Sequence, residues 1–265
     1  MNATDGVDAA RRRAKGHYGL ALAWLKRGRV KHALVELERA RSVDPGHREA
    51  WIEQARLLAG LHRWSDLVEL CRQGLRRFAD ASELHKLHVT GLEGRGSLDD
   101  AYDAYELRRA DARDIAIAPD AILCCVTVRN ERARLPGFLA HYRRLGVDRF
   151  LFVDNGSDDG TADWLLGQPD VHLWRSTLSF TLANFGSAWF ELLLRRYGVD
   201  RWCLTVDADE LIVYEDHETR SLHALCRELD EDGLQAASGI LLDLYSDRPV
   251  RDTTLDDATD WIERC

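Results

Sequence analysis

The chain has 265 residues, 45% apolar and 31% charged, enough for a substantial core in one or two domains and ordinary for a soluble globular protein. Its formal net charge of −9 argues against a nucleic-acid-binding domain, which needs a strongly basic surface. No apolar run approaches the ~20 residues of a membrane span, and "MNATDGVDAARRRAKG" has charges but no following apolar region, so neither a transmembrane segment nor a signal peptide is expected.

The charge is unevenly divided. Residues 1–118 hold 21 Lys+Arg against 18 Asp+Glu, and residues 119–265 hold 15 against 27. Two domains meeting near Ala118 and Pro119 are expected. Six cysteines, at 71, 124, 125, 203, 226 and 265, form no C-x-x-C pair. They predict neither a zinc site nor a disulfide framework, and a reducing cytoplasm fits them. Cys124, Cys125 and Cys203 lie in strand-like runs and are expected as small buried hydrophobes.

The first part repeats itself. A shift of 34 residues lays out three rows, 14–47, 48–81 and 82–115. Ala21, Ala55 and Val89 share a column, as do Trp24, Leu58 and Leu92; Ala33, Leu67 and Ala101; and Leu37, Cys71 and Tyr105. Gly28, His62 and Gly96 share a turn position. Within "HYGLALAWLKRG" apolar residues recur at three- and four-residue steps, as one face of a helix requires. The period and helix-turn-helix spacing resemble the tetratricopeptide repeat, which predicts paired antiparallel helices over 14–115 that stack to bury what one repeat cannot. Row three departs from the pattern: Arg108 stands in the column of Ala40 and Gly74. A protein partner on these repeats, or simple bracing of the next domain, is compatible with them.

From Pro119 on, strand and helix alternate. "AILCCVTV" (121–128) is a continuous apolar, β-branched run, the mark of a strand buried on both faces. "RLPGFLAHYRRLG" reads as a helix closed by Gly146, "RFLFVD" (149–154) as a second strand, "TADWLLG" as a short helix and "VHLWR" as a third strand. "ANFGSAWFELLLRRYG" reads as a longer helix and "RWCLTV" (201–206) as a fourth strand. Such alternation predicts a mostly parallel sheet with helices on its faces, and ligands beyond the carboxyl ends of its strands. Three polar clusters fall there: "RNE" (129–131), "DNGSDDG" (154–160) and "DADE" (207–210). Each has a bland reading as a cap or a turn; three on one sheet edge describe a pocket.

Asp207 and Asp209 are two apart, so in extended chain they point the same way and Ala208 points back. Two hard oxygen ligands suit Mg²⁺ or Mn²⁺, which completes its shell with water and phosphate oxygens. No Gly-rich G-x-x-x-x-G-K loop is present to hold a nucleotide otherwise. A haloacid-type phosphatase would want Thr or Val where Leu211 stands.

Together "CCVTVRNERARLPGFLAHYRRLGVDRFLFVDNGSDDGT" and "GVDRWCLTVDADELIVY" resemble the family 2-like glycosyltransferases of GT-A (Rossmann-like) fold, in the bacterial subgroup with R-N-E, V-D-N-G-S and D-A-D-E. The likeness runs from about 119 to 245 and includes "LLDLYSD". It implies a nucleotide-sugar donor of the UDP-sugar kind, a divalent cation, and transfer to a saccharide, lipid-linked or protein acceptor, as in surface polysaccharide synthesis. It implies a cytoplasmic place, with peripheral attachment at the inner face of the membrane. By this likeness Thr127 and Arg129 border the base, and Asp154 and Asn155 lie beside base and ribose. Asp207 faces the ribose and the metal, and Asp209 ligates the metal. Glu210 either supports Asp209 or caps the turn. In the family the domain continues well past "LLDLYSD" and there supplies the acceptor wall and catalytic base. This chain is therefore expected to hold a C-terminally incomplete domain over 119–265, the donor half, with Asp243 as the best remaining base and poor transfer. The alternative is a non-catalytic tetratricopeptide scaffold with a truncated donor-binding domain.

Overall fold

The computed structural model describes residues 3–241. They fall into two compact units: the chain up to Tyr105 together with Phe180–Ala188, and Glu106–Ser179 together with the chain from Trp189 on. No helix among the described residues is long and apolar enough to cross a membrane.

The first unit is helical. Helices α1 (Ala3–Lys26), α2 (Val30–Val43), α3 (Arg48–Gly60), α4 (Trp64–Leu75), α5 (Ser82–Gly94) and α6 (Leu98–Ala104) follow one another through short turns. The columns of the 34-residue period form its interior. Ala21, Ala55 and Val89 are buried, as are Ala33, Leu67 and Ala101, and Leu37, Cys71 and Tyr105. The turn column shares a backbone conformation as well: Gly28, His62 and Gly96 all have positive φ, at 68°, 54° and 75°. That is the left-handed geometry that ends a helix without a Cβ clash when the residue is glycine. His62 holds it despite its Cβ, stacked on Trp64 with ring centroids 5.0 Å apart. The Gly74 position is tight: an added Cβ would meet Leu84 Cδ1 at 3.0 Å and the Trp51 ring at 3.2 Å, so these neighbours would have to give way slightly.

The third row does not complete its second helix, so the expected run of paired helices to 115 is corrected. Helix α6 stops at Ala104, Glu106 takes φ 52°, and Arg108–Arg109 form a strand, β1, paired antiparallel with a strand of the following sheet. Arg108 occupies the column filled by the small, buried Ala40 and Gly74. Asp111 then anchors the new path. Its carboxylate accepts Leu173 N–H at 3.0 Å, Arg113 N–H at 3.0 Å and the Arg109 guanidinium at 2.8 Å. Burial opposes ionisation of Asp111, but these donors outweigh it and hold its pKa down to about 2.

The second unit carries the sheet. Strands β2 (Leu123–Val128), β3 (Arg149–Asp154), β4 (Val171–Arg175) and β5 (Cys203–Asp207) are mutually parallel, and the order across the sheet is β1-β4-β3-β2-β5. Helices α7 (Leu135–Leu145), α8 (Thr161–Leu166) and α9 (Ser187–Tyr197) supply the crossovers. Every residue of β2 except Thr127 is buried, as its unbroken apolar run predicts. On one face Phe138 and Tyr142 of α7 pack with Phe150, Phe152, Cys124 and Val126. On the other, Trp174 meets Tyr197 of α9 with centroids 5.6 Å apart. Each fully buried aromatic contributes about 1.5–3 kcal/mol. Gly146 ends α7 at φ 100°, and α10 (Leu222–Glu231) is capped by Ser221, whose Oγ accepts Ala224 N–H at 3.3 Å. Cys124 and Cys125 are buried as expected, whereas Cys203 is half-exposed because β5 lies at the sheet edge.

Two predictions follow from the helical unit. His62→Gly removes a left-handed Cβ and loses one ring stack, and should raise stability by about 0.5–1 kcal/mol, read as a higher urea midpoint. His88 is buried with Nε2 unpartnered, and burial depresses its pKa from 6.5 to about 4. Its contribution is intact above 6.5 and is lost as pH falls through 4. His88→Leu should therefore flatten the decline of thermal midpoint between pH 6.5 and pH 4, measured against the parent chain.

Candidate functional site

The carboxyl edge of the sheet is organised by β2. From β2 the chain proceeds outward through β3 to β4, then returns to place β5 on the other side of β2. Strand order reverses there, which is where open parallel sheets leave a crevice for ligands. The register sets Thr127 opposite Asp207 of β5 on one side and Val153 of β3 on the other. Paired residues share a face, so Thr127 and Asp207 stand side by side. Asp154 pairs with Val128 and lies on the opposite face. Thr127 Oγ1 is fully buried and has no hydrogen-bond partner. A buried hydroxyl left unpaired costs free energy, and the described residues supply Thr127 Oγ1 no partner to offset it.

The first two polar clusters are locked to each other. Asn130, at φ 60°, donates its N–H to Ser157 Oγ at 2.9 Å, and its Oδ1 accepts Asp158 N–H at 2.9 Å. Glu131 N–H donates to Thr161 Oγ1 and Arg132 N–H to Asp159 Oδ2, each at 3.0 Å. Asn130 is thus not a helix cap; α7 starts after Arg134 with no side-chain cap. Asp154 accepts Ser157 N–H at 3.3 Å and lies 4.0 Å from Arg175. Asn155 donates Nδ2–H to Ser176 O at 3.0 Å and Leu178 O at 2.9 Å, holding the chain that leaves β4. Arg129 is exposed at the end of β2.

The third cluster turns sharply. Strand β5 ends at Asp207, and Ala208 and Asp209 form a turn, so the extended geometry expected for this pair does not hold. Ala208 packs into the core, and Asp207 and Asp209 are exposed. Glu210 closes the turn: its N–H donates to Asp207 O, and its Oε2 accepts Asp207 N–H, both at 3.0 Å. Of the two roles open to Glu210, the structure shows the cap. Burial first, then the charges of Glu210 and Asp209, raise the pKa of Asp207. Sequence reading missed Tyr142 and His141. Tyr142 OH donates to Glu210 O at 3.0 Å and accepts Ile212 N–H at 3.1 Å, and His141 Nε2 lies 2.9 Å from Ile212 O. The signal was a phenol and an imidazole on the apolar face of α7, each needing a polar partner once buried.

Asp207 and Asp209 offer two hard oxygen donors that carry mutual repulsion, a donor set that fits Mg²⁺ or Mn²⁺. Among the described residues no group of three or more His, Cys, Asp or Glu side chains is arranged to hold a metal ion. The protein would supply few ligands, leaving the rest of the shell to water and phosphate oxygens, which is how Mg²⁺ is usually bound. Asp243 lies outside the described residues.

No family model and no curated protein matches the chain. Among solved structures it is similar to an O-GlcNAc transferase mutant of Thermobaculum terrenum, at 15% identity and a TM-score of 0.28, over 83% of this chain and 38% of that one. The chain thus spans less than half of that protein's length, and a likeness at this level fixes neither fold family nor activity.

Tyr142→Phe tests how the acidic turn is supported. It leaves Glu210 O and Ile212 N–H without their partner and should cost about 1–3 kcal/mol in stability, measured by urea unfolding, with faster amide exchange at Ile212.

Proposed function

We propose that the second unit binds a nucleoside diphosphate sugar of the UDP kind at the carboxyl ends of β2, β3 and β5, and that the chain serves as a metal-dependent glycosyltransferase acting on a saccharide, lipid-linked or protein acceptor. One observation carries this reading. Thr127, with its unpartnered buried hydroxyl, and Asp207 stand side by side at the strand-order reversal, and the Asp207–Asp209 pair lies at that same end. The family 2-like resemblance of the three motifs adds the sugar donor and the GT-A assignment.

In this reading Asp207 and Asp209 hold the divalent cation. When bound, that cation neutralises the diphosphate as a leaving group. Thr127 hydrogen-bonds the nucleoside, and Arg129 meets the base or phosphate from the exposed loop. Asp154 and Asn155 act mainly by shaping the wall of the pocket, because Asp154 is bonded within its own loop and Asn155 to the chain leaving β4. The clasp between the "RNE" and "DNGSDDG" loops fixes that wall before a ligand arrives, lowering the ordering entropy of binding.

Calorimetry of UDP against the chain tests this. Binding should require Mn²⁺ or Mg²⁺, and Asp209→Ala should remove the cation-dependent part, a loss of roughly tenfold or more from removing one of two charged ligands. Equal affinity in chelator would overturn the metal assignment. Parallel assays of UDP-sugar hydrolysis or transfer then separate a catalyst from a donor-binding scaffold.

A further inference from the structure

Residues 211–214, which follow the acidic turn, form neither helix nor strand. Leu211, Ile212 and Tyr214 nevertheless pack against the core, so the backbone polar groups beside them need partners. Helix α7 supplies them from two adjacent side chains. Tyr142 OH serves both Glu210 O and Ile212 N–H, and His141 Nε2 lies 2.9 Å from Ile212 O. Three backbone groups just past the acidic turn are thus held by side chains.

The two ring nitrogens of His141 face partners of opposite kind. A carbonyl oxygen only accepts, so the nitrogen facing Ile212 O carries the proton. A guanidinium only donates, and Arg144 Nη2 lies 3.3 Å from Nδ1, so Nδ1 offers its lone pair. Together the two neighbours select the neutral Nε2–H form. Burial lowers the pKa of His141 against the pull of the Ile212 carbonyl, and the charges of Arg144 and His217 act in the same direction as burial. The residue is buried and stands edge-on to Tyr142, with ring centroids 5.1 Å apart, so its Nε2–H is aimed at one place. The turn needs such a hold. Burial, and then the charges of Glu210 and Asp209, oppose ionisation of Asp207. Ionising all three pushes the turn open, and a fixed chain beyond it resists that.

We propose that His141 is a positioning residue for cation binding: its Nε2–H pins Ile212 O and thereby keeps Asp207 and Asp209 at the spacing that one divalent cation requires. This rests on the cation-dependent donor site proposed for this edge of the sheet. In this role His141 touches neither cation nor donor. Ile212 is three residues past Asp209, so releasing its carbonyl frees a short stretch of chain that carries the second cation donor. Binding would then have to order that stretch as well as fill the site. With the pin in place the order exists beforehand.

The test is calorimetry of UDP on the full chain, in Mn²⁺ and in chelator. His141→Leu removes the Nε2–H and should weaken binding in Mn²⁺ about fivefold or more, while leaving the affinity in chelator within about twofold. The amide nitrogen of Gln is as many bonds from the backbone as Nε2, so His141→Gln should restore binding to within about twofold of the parent. His141→Asn, whose amide stops one bond short, should lose as much as His141→Leu and replaces it if that variant does not fold. Val171→Ala, at the start of β4 and in the same core, is the control for lost stability and should bind within about twofold of the parent. Amide exchange without ligand gives a second readout: Glu210 N–H should exchange faster in His141→Leu than in the parent or His141→Gln, with Phe152 N–H unchanged. Undiminished binding by His141→Leu, equal losses in the Leu and Gln variants, an equal loss in Val171→Ala, or unchanged exchange at Glu210 would overturn the positioning role and leave the donor site standing. A parent chain with no cation-dependent binding would overturn the donor site, and this proposal with it.

Discussion

The parallel pairing of β2 with β3 on one side and β5 on the other is the constraint on which the second unit depends. β2 begins at Leu123 beside Arg149 and Cys203 and ends beside Asp154 and Asp207. A shift of one residue between β2 and β5 would move Asp207 to the other face and turn Leu204 and Val206 to the exposed face of β5. The burial of Cys124, Val126 and Val128 against α7 therefore fixes, as a by-product, where the polar edge falls.

That edge contains two kinds of polar group. Asn130, Ser157, Asp159 and Thr161 are engaged with one another's loops and build the wall. Thr127, Asp207 and Asp209 are not consumed in this way. The distinction separates residues that shape a pocket from residues that can meet a ligand, although all of them lie in or next to the three polar clusters. Asn155 belongs with the first group, since its amide ties β3 to the chain leaving β4.

Much of the fold was legible because its signals are local. The 34-residue columns marked the buried positions of the helices, and the turn column marked three left-handed residues, including His62. The four parallel strands announced themselves by apolar runs bounded by turn residues. What stayed hidden depends on distant partners. The strand β1 exists because Leu173 and Asp111 meet across 62 residues, which no window of sequence displays. Helix α10 lacked a strong apolar run, although Ser221 was a readable cap. Glu210 was ambiguous because its choice between turn and ligand rests on the backbone of Asp207. The extended reading of "DADE" failed for the same reason: Glu210 closes a turn on the backbone of Asp207.

The two ends of the sheet are finished differently. β1 is two residues long and carries only arginines, and it lies antiparallel along β4. A strip so short and so charged is a poor template for another strand. Among the described residues β5 has a neighbour on one side only. Growth of this sheet is therefore directional. Any strand that joins it, from this chain or from another, adds beyond β5, next to the acidic turn, and brings its own side chains to the pocket's rim.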